Sequence, residues 1–270
     1  MKHWPMLLWS LLLPTAAQAL DRVPVLVELF TSEGCSSCPP ADEALLQLVR
    51  DQPVAGAEVV GLELHVDYWN SLGWADPFSL PEATARQERY AAAGALPGLP
   101  AQLYTPQMVV DGTRSFVGNR ELAVQAVSQA LALAKRTLHA SVHAVPGGVD
   151  VALEVGPGKE QGLGLWLVLT ESGLSSNVTR GENRGHTLAH APVVRSRERL
   201  AVVPAEGWTG TVRLPIARAW RREALKVVAF VQERSNGRVV GLAMAPVPPD
   251  TDGPAAAAQL PAPGQGAHRP

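Results

Sequence analysis

The amino-acid sequence predicts an α/β fold with an additional C-terminal antiparallel β unit. Three observations carry this. A continuous apolar run, Val23 to Phe30, leads into a Cys35-Ser36-Ser37-Cys38 pair, and a helix-type run leads out of it. The elements then follow in the order β, α, β, α, β, β, α. A Thr105-Pro106 dipeptide stands just before the third strand. This is the pattern of a thioredoxin-like fold, in which a Cys pair follows the first strand and a cis proline faces it.

Taken in order, residues 1–19 read as a secretory signal. Lys2 and His3 form a short basic start, Trp4 to Pro14 is apolar but too short to span a bilayer, and Ala17-Gln18-Ala19 suits cleavage before Leu20. Residues 20–137 form the thioredoxin-like domain. Val23 to Phe30 is a strand buried on both faces. Pro39 to about Asp51 is a helix with Leu45, Leu46, Leu48 and Val49 as its apolar stripe, ended at Gln52-Pro53. Glu58 to Val66 is a second buried strand. An aromatic, turn-rich stretch from Asp67 to Phe78 precedes a helix over Pro81 to Ala93, and a Pro/Gly loop runs on to Thr105-Pro106. Gln107 to Val110 and Arg114 to Val117 form a hairpin about Asp111-Gly112. Asn119 caps a helix from Arg120 to about Arg136, with Leu122, Val124, Ala126, Val127, Ala130, Leu131 and Leu133 as candidate core.

From Leu138 the texture changes to Val/Leu/Ala runs separated by Gly/Pro turns: 141–145, 149–155, 163–170, 187–194, 200–203, 209–214, 225–232 and 239–244. Residues 138–245 therefore predict an antiparallel β unit, a sandwich or a sheet packed beside the first domain. Arg180 to His186 reads as a solvated polar loop. Residues 246–270, rich in Pro, Ala and Gly, read as a disordered tail.

The Cys pair carries the chemistry. A helix start has free N–H groups and a partial positive charge, which lowers a thiol pKa. Cys35 is expected at the cap or first turn with its sulfur partly exposed, and Cys38 one turn inward. Pro39 and Pro40 are tolerated there because those N–H groups lack helical partners anyway. Glu33 opposes the effect, since a nearby carboxylate raises a thiol pKa. A static disulfide would close a very short loop and stabilise little. With no second Cys pair and no His at finger spacing, a tetrahedral zinc site is not expected. His65 and Asp67 sit two apart at the end of the second strand and so share a face. His65 is a candidate proton acceptor for Cys38, with Asp67 orienting it; the competing reading is a packed histidine among Tyr68, Trp69 and Trp74. Pro106 joins the candidate catalytic set, and Thr105, Tyr68 and Trp69 the candidate substrate-binding set.

The 270 residues suffice for one large domain or two small ones. A net charge of -2 with no basic stripe argues against a nucleic-acid partner. Signal cleavage would leave no membrane segment, and export would place the cysteines in an oxidising compartment, the bacterial periplasm. No cofactor motif is present.

Val27-Glu28-Leu29-Phe30-Thr31-Ser32-Glu33-Gly34-Cys35-Ser36-Ser37-Cys38-Pro39-Pro40-Ala41-Asp42 resembles the signature of a family of secreted bacterial thioredoxin-like proteins catalogued as domain of unknown function 1223. His65 to Trp69, Thr105 to Gly112 and Gly181-Glu182-Asn183 also match its pattern. The resemblance runs from about Val23 to Met244. It implies a thioredoxin-like fold and an exported location but no particular reaction. Three readings follow. One is a thiol–disulfide oxidoreductase acting on protein thiols or disulfides, with a redox partner protein to recharge it, in which Cys35 attacks and Cys38 resolves. Another is Cu(I) binding or delivery through Cys35, Cys38 and His65. The third is a non-catalytic binding module.

Overall fold

The computed structural model describes residues 22–93 and 102–250. The signal sequence expected over 1–19, most of the Pro/Gly loop, and the tail beyond residue 250 lie outside the described residues.

Strand β1 (Val23–Thr31) is followed by helix α1 (Pro39–Asp51), strand β2 (Ala57–His65), helix α2 (Pro81–Ala93), hairpin β3 (Gln107–Val110) and β4 (Arg114–Val117), and helix α3 (Arg120–Ala130). β1 runs parallel to β2, with Thr31 opposite His65, and antiparallel to β3. Both faces of β1 are covered, which explains its unbroken apolar run. Val25, Val27 and Leu29 face α1 and α3, while Leu26 and Phe30 face Ala83 and Tyr90 of α2. Its one charged residue there, Glu28, is buried against Arg86 of α2, which donates to it through Nε and, at 2.7 Å, through Nη2.

The segment expected as an antiparallel β unit supplies β5 (Leu138–Val145), β6 (Gly148–Val155), β7 (Leu163–Glu171), β8 (Ser175–Asn177), β9 (Thr187–Ala189), β10 (Val193–Val203), β11 (Trp208–Pro215), β12 (Leu225–Glu233) and β13 (Val239–Pro246). These strands are not set beside the first sheet as a block. β10 joins β2 in parallel at Val193 and Glu63, and β10, β7, β12 and β13 continue antiparallel from there. The result is one eight-stranded mixed sheet in the order β13-β12-β7-β10-β2-β1-β3-β4. A three-stranded sheet, β11-β6-β5, packs Val149, Val151 and Leu153 against Leu165, Leu167 and Val227 of the large sheet. On the α2 face, Leu26, Phe30 and Leu62 share a core with Val168, Val228 and Phe230. The sheet curls enough for Val239 N–H to donate to Asp111 C=O at 2.9 Å. At that closure Gly112, at φ 63°, leaves no room for a side chain, because a Cβ would lie 1.8 Å from Gly237 O.

Several local expectations change. α3 ends at Ala130, not near Arg136, because tertiary partners draw the following residues away. Lys135 Nζ bonds Asp111 Oδ1 at 2.9 Å, and Arg136 reaches Glu160 and the Pro204 carbonyl. Leu122 is exposed; Ala123, Ala126, Val127 and Ala130 form the buried face. The strand expected at 187–194 splits into β9 and the start of β10, a strand that runs unbroken through Leu200. Val247, placed in the tail by its composition, is buried and donates to Leu225 C=O. Among the described residues no helix is long and apolar enough to cross a membrane.

Candidate functional site

Cys35 and Cys38 form a disulfide in the turn between β1 and α1, with Cα atoms 5.4 Å apart. Two backbone bonds shape the turn, Cys35 N–H to Ser32 C=O at 3.1 Å and Cys38 N–H to Cys35 C=O at 3.2 Å. The helix cap is Cys38, not Cys35, because Pro39 and Pro40 take the first helical positions. Cys35 therefore stands one turn ahead of the helix, its Sγ 3.3 Å from Ser37 Oγ.

The expectation of a partly exposed sulfur is also corrected. Both cysteines are 0% exposed, although Ser36 and Ser37 between them face solvent. The loop read from sequence as solvated is bonded onto this turn. Asn183 Nδ2 donates to both Glu33 C=O and Cys35 C=O, each at 2.9 Å, and is itself buried. Glu182 Oε2 accepts from Ser36 N–H at 3.0 Å. Gly181, at φ 74°, packs on Trp74, whose Nε1 donates to Glu33 Oε2 at 2.8 Å.

Beneath the turn lies a buried array of carboxylates and imidazoles. His65 Nδ1 is 2.7 Å from Asp76 Oδ2, and its Nε2 is 3.1 Å from Glu63 Oε1. His190 Nδ1 is 2.8 Å from that same Glu63 oxygen, and its Nε2 is 3.0 Å from Glu33 Oε1. The Phe78 ring stands edge-on to both imidazoles. Burial opposes charge on the histidines, but the carboxylates outweigh it. Asp76 and Glu63 hold the His65 pKa well above its ordinary value, and hydrogen bonds to Glu33 and Glu63 bring His190 to about 9. Burial would likewise raise the carboxyls of Glu63 and Asp76, yet the imidazoles lower them. Asp42, one turn past Cys38 on α1, is pushed up to about 8 by burial and by the Glu63 charge, against the hydrogen bond from Thr31 Oγ1.

The structure gives His65 and Asp67 separate side-chain partners. β2 ends at His65, so strand alternation does not carry Asp67 to the same face. Asp67 accepts from Thr84 Oγ1 at 2.6 Å instead, and the carboxylates that orient His65 are Glu63 and Asp76. Both His65 ring nitrogens thus face carboxylates, while Cys35 and Cys38 are joined in the disulfide. The Thr105-Pro106 bond is cis. Thr105 Oγ1 accepts from Trp69 Nε1 at 2.9 Å, and Trp69 packs on Gly34, so Trp69 links this segment to the Cys turn. The Tyr68 hydroxyl donates to Gln87 Oε1 at 3.2 Å and also meets the Thr105 hydroxyl, so Tyr68 too stands beside this segment. Glu33, Asp42, Glu63, Asp76, Asn183 and His190 are the site residues to which sequence reasoning gave no role in the chemistry, apart from the electrostatic effect of Glu33. The available signal was a charged residue two before His65 inside an apolar strand, since unpaired charge is rarely fully buried.

A model of a family described as protein of unknown function (DUF1223) matches residues 26–232, from β1 into β12. Among solved structures, the crystal structure of protein AGR_C_4864 from Agrobacterium tumefaciens is similar at 26% identity and a TM-score of 0.62, covering 84% of this chain and 95% of that one. A domain of the outer membrane lipoprotein Omp28 from Porphyromonas gingivalis matches at 14% identity and a TM-score of 0.31, over 44% of this chain and 93% of that one, too slight a likeness to carry an argument. No curated protein matches the chain. The family match spans most of the sequence and both parts of the large sheet, and the chain belongs to the DUF1223 family.

Proposed function

We propose that this protein is an exported, thioredoxin-like thiol–disulfide oxidoreductase that acts on protein thiols through Cys35 and Cys38. The observation that carries the reading is the Cys35–Cys38 disulfide at a strand-to-helix turn, with Cys38 as the helix cap. The β2-β1-β3-β4 order and the cis Thr105-Pro106 bond support the thioredoxin-like part. The basic-apolar start with Ala17-Gln18-Ala19 supports export.

In the oxidising direction a substrate thiolate attacks Cys35 Sγ. The Cys35–Cys38 bond breaks, a mixed disulfide forms, and Cys38 leaves as a thiolate at the positive end of α1. A second substrate thiolate then attacks the substrate sulfur of the mixed disulfide and releases Cys35. The substrate has lost two electrons and the protein has gained them. The reducing direction is the reverse, with Cys35 attacking and Cys38 resolving. Asp42 is the candidate to take or return the Cys38 proton, because it lies one turn along the same helix and burial raises its pKa to about 8. Cys38→Ser should trap mixed disulfides with protein thiols in the cell compartment, visible on non-reducing gels, and Cys35→Ser should not. Equal trapping by both variants, or by neither, would count against the assignment.

A further inference from the structure

Glu63, His65 and His190 bring three metal-ligand atoms to one point. Glu63 Oε1 lies 3.1 Å from His65 Nε2 and 2.8 Å from His190 Nδ1, and all three atoms lie within 4.8 Å of one another. In a tetrahedral zinc site with bonds of about 2.0–2.1 Å, ligand atoms stand roughly 3.3 Å apart, close to the two distances from Glu63 Oε1. The scaffold is well fixed. Glu63 and His65 project from one face of the central strand β2, and His190 is anchored by its N–H to Leu174 C=O at 3.0 Å. The second oxygen of Glu63 is held by the Ala191 N–H.

Two further features suit a bound cation. First, the far nitrogen of each imidazole already meets a carboxylate, Asp76 for His65 Nδ1 and Glu33 for His190 Nε2. That carboxylate–histidine arrangement is how proteins orient imidazoles toward a metal and raise their basicity. Second, three buried carboxylates, Glu33, Glu63 and Asp76, meet here with no Lys or Arg among their partners in the described residues. A dipositive ion on neutral imidazoles would balance these carboxylates as two imidazoliums do, so metal can replace the two protons without unbalancing buried charge.

We propose that Glu63, His65 and His190 bind a divalent transition-metal ion of the zinc class, in a site distinct from the Cys pair. Two imidazole nitrogens and one carboxylate oxygen suit Zn2+ and leave one coordination position open. The site lies under the Cys35–Cys38 turn and would be tied to it through Glu33, which holds His190 below and receives Asn183 above.

The test uses the full chain, refolded with Zn2+, freed of excess metal on a desalting column and analysed by elemental mass spectrometry. Wild type and the Cys35→Ser/Cys38→Ser double variant should each retain one zinc per chain. His190→Gln should retain about a tenth or less, since losing a ligand costs at least what losing its orienting partner does. Should His190→Gln fail to fold, wild type loaded with Co2+ gives the answer: visible d–d bands of a tetrahedral nitrogen/oxygen site without a sulfur charge-transfer band. Wild type that retains no zinc would show a hydrogen-bonded cluster only and overturn the proposal. So would zinc that is lost in the Cys double variant, zinc retained by a folded His190→Gln, or a sulfur band in the cobalt spectrum.

Discussion

Replacing Asn183 with alanine should expose the disulfide without dismantling the fold. The Asn183 amide makes two hydrogen bonds at 2.9 Å, to the carbonyls of Glu33 and Cys35, and these hold the covering loop on the turn. Each such bond contributes about 1 kcal/mol net, and the carbonyls left behind add some penalty if water does not reach them, so closure should weaken by roughly 2 kcal/mol. Both sulfurs are 0% exposed, so a small thiol can reach them only when the loop opens. If opening is a rapid pre-equilibrium, the reduction rate follows the open population, and 2 kcal/mol corresponds to about 30-fold. The assay is the rate of Cys35–Cys38 reduction by dithiothreitol, read by quenched alkylation, with urea unfolding run in parallel. Glu182→Ala removes solvent-exposed contacts to the Ser36 N–H and hydroxyl and should accelerate reduction about threefold or less. An Asn183→Ala rate equal to wild type, or an acceleration matched by global destabilisation, would refute the idea that this loop gates the pair.

Asp42 should make stability fall as pH rises. Its carboxyl shifts from 3.8 in the unfolded chain to about 8 in the fold, so between those values the unfolded chain loses a proton that the fold retains. The penalty grows by about 1.4 kcal/mol per pH unit, to roughly 4 kcal/mol at pH 7, and is absent below pH 4. Asp42→Asn keeps an acceptor for Thr31, so denaturant titrations from pH 4 to 8 should show a flatter profile and a more stable protein at pH 7. It should also slow attack by Cys38 on the mixed disulfide, and an unchanged pH profile would count against the buried carboxyl. His65→Ala leaves Glu63 and Asp76 buried without one of their partners and should cost about 3–5 kcal/mol in urea unfolding. Asp67→Ala removes only the bond to Thr84 and should leave thiol exchange unchanged; a large rate loss there would restore the paired role of the two residues.

The order of elements was legible because buried strands write themselves as apolar runs and the Cys-Pro-Pro start marks a helix. The helix α3 end was not, because the residues that stop it, Lys135 and Arg136, bind partners far along the chain. The same limit hid the cover of the Cys pair. Asn183 and Glu182 sit in a charged, glycine-bounded stretch with the local character of a solvated turn, and Asn183 finds Cys35 148 residues away. The buried array was half legible. His65 stood out, yet Glu63 two residues earlier carried the same signal, a charge within an apolar strand, and Glu28 carried it in β1. Their partners His190, Asp76 and Arg86 come from other elements, and only the folded sheet brings them together.

The most direct test of the redox assignment is the reduction potential of the Cys35–Cys38 pair, measured by equilibrating the folded protein in glutathione and dithiothreitol buffers and counting alkylated thiols by mass. A working oxidoreductase should show a reversible two-electron transition at about -120 to -270 mV, with the fold intact in both states by circular dichroism. A potential below about -300 mV, or reduction that occurs only as the protein unfolds, would mark the bond as structural and contradict the account.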